Sequence, residues 1–323
     1  MAKMKLREKI RKGWELFKVS WKILRENKKL IVFPLLTAGA FILFVAGVAP
    51  LLYSIYSNHL LKPLVGTQVS SHISIFQFFQ SIGWKNFSML FLLSLGISWL
   101  SIYINATFLS CVIDILRENK TSISASFKKT WALKGKIFQW AIVSSIVLTV
   151  LMTIEAYAEK LPFIGRWIGR AISFLGGLAW AIGTYFVIPV LVNEDIGIID
   201  SVKRSAELIK RTWGETTSGY IIFEIVKDVF VCLPAFLMLA ATVIYFVISF
   251  TASLSSNGVS SFIPNKIISI IIFMLPIAWA IAAGLVYTVL NKIFNGAIYI
   301  YASEGVVPEG FNKELLDSSW QVK

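Results

Sequence analysis

Six long apolar runs constrain this chain more than any other feature. They cover about 30–53, 87–108, 137–157, 171–192, 220–250 and 267–299. A helix needs roughly 20 residues to cross the hydrocarbon of a bilayer, at about 1.5 Å per residue, and each run is long enough. The runs are continuous rather than alternating every second residue, which argues for helices and against barrel strands. Only 15% of the 323 residues are charged and 56% are hydrophobic, whereas soluble domains carry nearer a quarter charged residues. No soluble core of this size hides that much apolar surface, so the solvent is lipid. The predicted fold class is all-α, a polytopic membrane bundle of about six spans in a single domain. Pro189, Pro234 and Pro276 lie inside the last three runs and are candidate kinks. The fifth and sixth runs exceed what a crossing needs and are expected to tilt, kink or extend past the core.

The net charge of +13 is not a nucleic-acid signature here, because the basic residues flank apolar spans. Counted by connection, 24 of the 31 Lys and Arg fall on one side: those up to Lys29, those from Arg117 to Lys136, the group Lys203, Arg204, Lys210 and Arg211, and a tail counted from Lys292. Six fall on the other side, and Lys227 lies inside the fifth run. The positive-inside rule predicts that both termini are cytoplasmic, in a multi-pass protein of the cell inner membrane. The first apolar run is too long for a signal-peptide core, so no cleaved signal is expected. Cys111 and Cys232 both lie within apolar runs and read as buried thiols.

Three segments share the pattern apolar–Lys–x–Ser/Thr–Trp, each shortly before an odd-numbered span. They contain Lys18 and Trp21, Lys128 and Trp131, and Lys210 and Trp213; a degenerate copy ends at Trp320. The even-numbered spans carry acids near the same end: Asp114, Glu194 with Asp195, and Glu304. A threefold unit explains both, with an interfacial helix, a span out and a span back. It divides the chain into a basic amphipathic helix (1–29), three hairpin repeats (30–116, 117–195 and 196–305) and a tail (306–323). In the third copy Ile199, Val202, Ala206, Ile209 and Trp213 recur at helical intervals. In the first, Leu6, Ile10, Trp14, Phe17, Trp21 and Leu24 do the same. Such helices lie in the membrane plane with Trp at headgroup level and bases toward anionic lipid. The partners expected are therefore membrane lipids with anionic headgroups, with no nucleic acid; oligomeric state is not read from these features.

The stretch from Phe186 to Glu215, the opening Gly13–Trp21 and the closing Ala302–Phe311 resemble a bacterial family of six-span membrane proteins without an assigned activity. More distantly, the Lys-x-Thr-Trp units are similar to the membrane domain attached to some glycerophosphodiester phosphodiesterases. The resemblance implies architecture and location; it supplies no catalytic residues, and no soluble phosphodiesterase domain is present.

Enzyme signatures are absent from the sequence: no GxSxG, HExxH, P-loop or GxGxxG arrangement occurs. His59 and His72 share one loop without Cys or carboxylate neighbours, too few ligands for a metal centre. No cofactor is expected. The ionisable group of most interest is Glu224, Lys227 and Asp228, at i, i+3 and i+4 on one helix face. Buried, these residues would meet a cleft near Asp114 and Asn105; at the membrane edge, they snorkel, and the closeness of Glu224 to Trp213 favours the edge. Glu155 and Glu159 are placed to pair with Arg166 and Arg170. Small residues four apart, Gly165/Gly169, Ala179/Gly183 and Ala280/Gly284, allow close helix contact in lipid. The function expected is non-enzymatic, handling lipid or supporting envelope assembly. A small-solute transporter or channel is the alternative, and an intramembrane enzyme the second.

Overall fold

The structure, a computed structural model, describes residues 6–57, 84–118, 121–158, 162–255, 266–308 and 310–311; the side chains of 6–13 and 212–226 and of some residues at helix ends are not described. Its order is α1 (Leu6–Glu26), a 3₁₀ turn (Lys28–Ile31), α2 (Val32–Ser57), α3 (Trp84–Leu116), α4 (Ile123–Trp131) and α5 (Lys134–Ala158). Then follow α6 (Phe163–Gly183), α7 (Val187–Asn193), α8 (Ile198–Lys227), a π-helical segment (Asp228–Cys232), α9 (Leu233–Ser255) and α10 (Lys266–Glu304). No strand occurs among the described residues. Six stretches are long and apolar enough to cross a membrane: Lys28–Pro50, Ser88–Leu116, Lys134–Glu155, Phe163–Asn193, Asp228–Ser249 and Ser269–Glu304. Their outer faces carry large apolar side chains such as Phe41, Ile42, Phe174, Phe236 and Ile271, all more than half exposed. Exposure of this kind is stable only against lipid, so the chain is an all-α membrane protein.

Two of the six differ from the sequence reading. The fourth is broken at Thr184–Phe186, upstream of Pro189. Proline lacks the N–H that would bond the carbonyl of Tyr185 and its ring clashes there, so the helix stops and restarts; the Phe186 N–H is taken by Ser205 Oγ at 2.9 Å. The fifth begins at Asp228 rather than near 220, because α8 is one uninterrupted helix to Lys227. The π-helical segment sits immediately before Pro234. With no N–H at Pro234 to serve the Phe230 carbonyl, the backbone widens, and the Leu233 N–H reaches back to Asp228. Pro276 does not interrupt α10.

The chain forms two compact units. One comprises 32–114 and 120–209. Its core is aromatic: Phe33 stacks on Phe108 at 4.9 Å and on Phe127 at 5.9 Å. Tyr103 donates to the Phe127 carbonyl at 3.1 Å, tying α4 to α3. The α5–α6 hairpin is close: a Cβ at Gly169 would collide with the Ala158 Cβ, and Ser173 donates to the Leu151 carbonyl across the pair at 3.1 Å. Of the small residues expected at helix contacts, Gly169 is in such a contact, whereas Gly183 and Gly284 face open space.

The other unit comprises 1–31, 115–119 and 210–323. Here α1 and the π-helical segment pack on α10, and α9 packs along α10. The α9–α10 contact includes a specific repair. Pro276 deprives the Ile272 carbonyl of its helical donor, and Thr242 Oγ1, almost fully buried on α9, donates to that carbonyl at 3.2 Å. Gly305 closes α10 in a left-handed conformation (φ 70°), its N–H bonded to the Tyr301 carbonyl. The two cysteines form no disulfide; Cys111 is buried, while Cys232, expected to be buried, is exposed on the π-helical segment.

Candidate functional site

The acids singled out at the ends of the even-numbered spans each meet a base. Asp114 pairs with Lys129 of α4 at 3.2 Å, Glu194 with Arg204 of α8 at 3.0 Å, Asp195 with Lys136 of α5 at 2.6 Å, and Glu304 with Arg117. The physical reason is local. A carboxylate at a helix C-terminus faces the negative end of the helix dipole, and a neighbouring cation offsets that. Lys136 holds the Asp195 carboxyl below the usual carboxylate range, first through its hydrogen bond and then through its charge. All four pairs are reached by solvent, Asp195 most of all, so screening leaves each a small contribution. They fix helix ends; they do not form a reaction centre.

The three Lys–x–Ser/Thr–Trp segments all fall on helices that precede odd-numbered spans. Lys18, Lys128 and Lys210 are exposed, as are Trp21 and Trp131, while Ser20 and Thr130 are fully buried. One helical turn earlier Leu16, Ser126 and Leu208 are buried as well. The Trp213 and Glu224 side chains, Trp320, His59, His72 and Glu159 lie outside the described residues. The apolar face expected for these helices is buried only in part: Leu24 and Ile209 are buried, and Val202 and Ala206 are half-buried. Ile199 is exposed, and the buried row of α8 runs Ser201, Ser205, Leu208; in α1 it runs Leu16, Ser20, Leu24. Trp14, Phe17 and Trp21 form a stacked aromatic row on the neighbouring side of α1. Arg204, expected to face water or lipid phosphate, is held by Glu194 and Glu207.

Of the charged group centred on the fifth span, Lys227 and Asp228 are neighbours with 4.0 Å between nitrogen and oxygen. Asp114 is engaged by Lys129, and Asn105 donates to the Ser101 carbonyl one turn away in its own helix. Lys227 and Asp228 stand at the start of the fifth apolar stretch, not inside it.

Lys227 does line a cavity of about 360 Å³ that sequence reasoning missed. The cavity lies between α1, the π-helical segment and α10, walled by Phe17, Trp21, Phe230, Trp279 and Tyr287, with small residues Ala282 and Ala283 in its lining. Phe230 stacks on both Trp14 and Phe17, at 5.8 and 6.2 Å. The π-helical turn produces this, since it turns Phe230 and Val231 toward α1; π-bulges recur at functional sites for that reason. Trp21, Phe230 and Trp279 are themselves partly exposed, so the mouth opens to the surroundings. The size is at the lower end of small-ligand sites, and among the described residues the lining is apolar with one cation, Lys227. Among the described residues no cluster of His, Cys, Asp or Glu has metal-binding geometry.

Residues 84–309 match the model of a family of unknown function, DUF6159, and the chain belongs to that family. No curated protein and no solved structure matches the chain.

Proposed function

We propose that this member of the DUF6159 family is a non-enzymatic lipid-binding membrane protein. It seats an acyl chain in the cavity between α1, the π-helical segment and α10, and holds the anionic head of that lipid at Lys227. The observation that carries the reading is the cavity itself: an apolar, aromatic-walled, partly open pocket with one lysine among its described lining residues. An acyl chain entering it exchanges lipid contacts for protein contacts at little cost, so the charge contact sets the preference for anionic lipid.

The same reading accounts for the distribution of bases. Both termini are cytoplasmic, and α1, α4 and the first half of α8 are copies of one interfacial helix that rides on anionic headgroups through Lys18, Lys128 and Lys210. The common pattern of buried Ser20 and Thr130 and exposed Trp21 and Trp131 supports that repeat. A role in handling envelope lipid follows, with no reaction of its own.

Native mass spectrometry of the protein released from membranes tests the site. The wild type should retain anionic phospholipid. Ala283→Phe, which puts a ring into the cavity from its lining, should lose it. Lys227→Glu should keep a chain but lose the preference for anionic over zwitterionic lipid. Equal lipid retention in wild type and Ala283→Phe would rule the site out.

A further inference from the structure

One wall of the acyl cavity stands on a hinge. Phe17 and Trp21 line the cavity from α1, and α1 is followed by the short 3₁₀ turn Lys28–Ile31. That turn is anchored: it packs on α10, and Leu30 is fully buried. A stretch of 3₁₀ between two α-helices is a recurrent hinge. Glu15 stands twelve residues before Asn27, a lever of about 18 Å.

The sides of α1 differ in what they meet. Leu16, Ser20 and Leu24 form the buried row, and α1 packs on α10. On one flank Trp14 and Phe17 stack on Phe230 of the π-helical segment. On the other, Val19 lies beside Gly310, where an added Cβ would stand 3.7 Å from Val19 Cγ1. Opposite the buried row Lys18, Lys22 and Arg25 are exposed, and six more bases precede Gly13.

The seat is imperfect at one point. Ser20 is fully buried, and its Oγ has no hydrogen-bond partner among the described residues. Thr130 has the same place in the Lys–x–Ser/Thr–Trp pattern of α4 and is equally buried, but it donates to the Ser126 carbonyl at 2.8 Å. A hydroxyl enclosed without a partner opposes the packing that encloses it. Laid on the membrane surface, α1 would sink its aromatic and leucine rows into the interface and set its bases on phosphates. Ser20 would then find water or a headgroup to bond.

We propose that α1 is a lid on the acyl cavity, hinged at Lys28–Ile31, seated over an unpaired Ser20 hydroxyl and lifted by anionic lipid. Lifting withdraws Phe17 and Trp21 and breaks the stack on Phe230, so that a chain enters or leaves; seating restores the wall. This role rests on the reading of the cavity as an acyl site and adds its regulation. Anionic lipid shifts the balance because it binds the lifted helix better than the seated one.

The test follows lid and cavity separately, in the full-length protein in nanodiscs. Spin labels at Glu15→Cys and Val306→Cys, both exposed positions, in a Cys232→Ser background report the distance of α1 from the end of α10. In phosphatidylcholine alone one seated distance is expected, and added phosphatidylglycerol should bring in a second. Ser20→Ala removes the unpaired hydroxyl, so the ratio of lifted to seated protein should fall by about tenfold. Exchange of labelled phosphatidylglycerol should slow with it. A single distance in both membranes, or a Ser20→Ala protein that lifts as readily as the wild type, overturns the lid. Ala283→Phe keeps the two readings apart, since it should lose retained lipid while α1 still lifts. Equal lipid retention in Ala283→Phe and wild type overturns the cavity; a fixed α1 in a protein whose lipid is lost with Ala283→Phe overturns the lid alone.

Discussion

Thr242→Val isolates the repair at the Pro276 position. The substitution keeps the shape of the side chain and removes the hydroxyl that donates to the Ile272 carbonyl. Thr242 is buried against α10, so no water replaces the donor. A buried carbonyl left without a partner costs about 1–3 kcal/mol. Two considerations lower that figure. The same hydroxyl also lies 2.8 Å from the Met238 carbonyl, so its one proton is shared. Interhelical hydrogen bonds in membranes average about 0.6 kcal/mol in double-mutant cycles. The expected loss is therefore about 0.5–1.5 kcal/mol. The decisive partner substitution is Pro276→Ala, which restores the N–H that serves Ile272 within the helix. In that background the Thr242 hydroxyl is redundant, and Thr242→Val should cost close to nothing. The cycle is read from equilibrium unfolding of the four proteins in one detergent, with the coupling taken as the non-additive part. The same loss for Thr242→Val in both backgrounds would refute the reasoning, since Thr242 would then matter for packing and not for the orphaned carbonyl.

Gly169→Ala and Gly177→Ala should differ in sign. The first drives a methyl into Ala158 and should destabilise by about 1–2 kcal/mol net of the helix-propensity gain, while the second meets open space and should stabilise by up to about 1 kcal/mol, both read from unfolding in detergent. The Asp195 carboxyl is held below its ordinary range by Lys136. Its contribution is therefore complete above the ordinary carboxylate pKa and lost as pH falls through the lowered value; Asp195→Asn should lower stability slightly at neutral pH and leave it unchanged at acid pH, flattening the acid limb of the stability–pH curve, with salt reducing the difference. Alkaline-phosphatase fusions after Lys323 should be inactive and fusions within 58–83 active, as both termini are read as cytoplasmic; an active C-terminal fusion would contradict that orientation.

The six spans were legible because each is a composition signal about twenty residues long, which survives uncertainty at its ends. Their ends were less legible for two separate reasons. A proline marks a break without saying where it falls: Pro189 disrupts the chain at Thr184–Phe186, Pro234 is accommodated by π-helix, and Pro276 leaves α10 unbroken because Thr242 supplies the missing donor. A polar stretch such as that before residue 220 excludes hydrocarbon but not helix, so the fifth span was placed too early while α8 simply continues. The acids at the ends of the even-numbered spans were recognised from spacing, but their partners were not, since Arg117 and Glu304 are 187 residues apart in sequence. Lys292, which reads in the sequence as the boundary of an apolar run, stands within α10, and the helix continues well past it to Glu304. The cavity was invisible because it depends on the π-helical turn that brings Phe230 against Trp14 and Phe17.

The account stands most directly on whether a lipid chain occupies the cavity between α1, the π-helical segment and α10. Membranes labelled with a phospholipid bearing a diazirine in one acyl chain can be irradiated, and the adducts mapped by peptide mass spectrometry. The account predicts adducts concentrated on Phe17, Trp21, Phe230 and Trp279, and sharply reduced by Ala283→Phe. Adducts spread evenly over outward apolar residues such as Phe41, Phe174 and Phe236, and unchanged by Ala283→Phe, would contradict it.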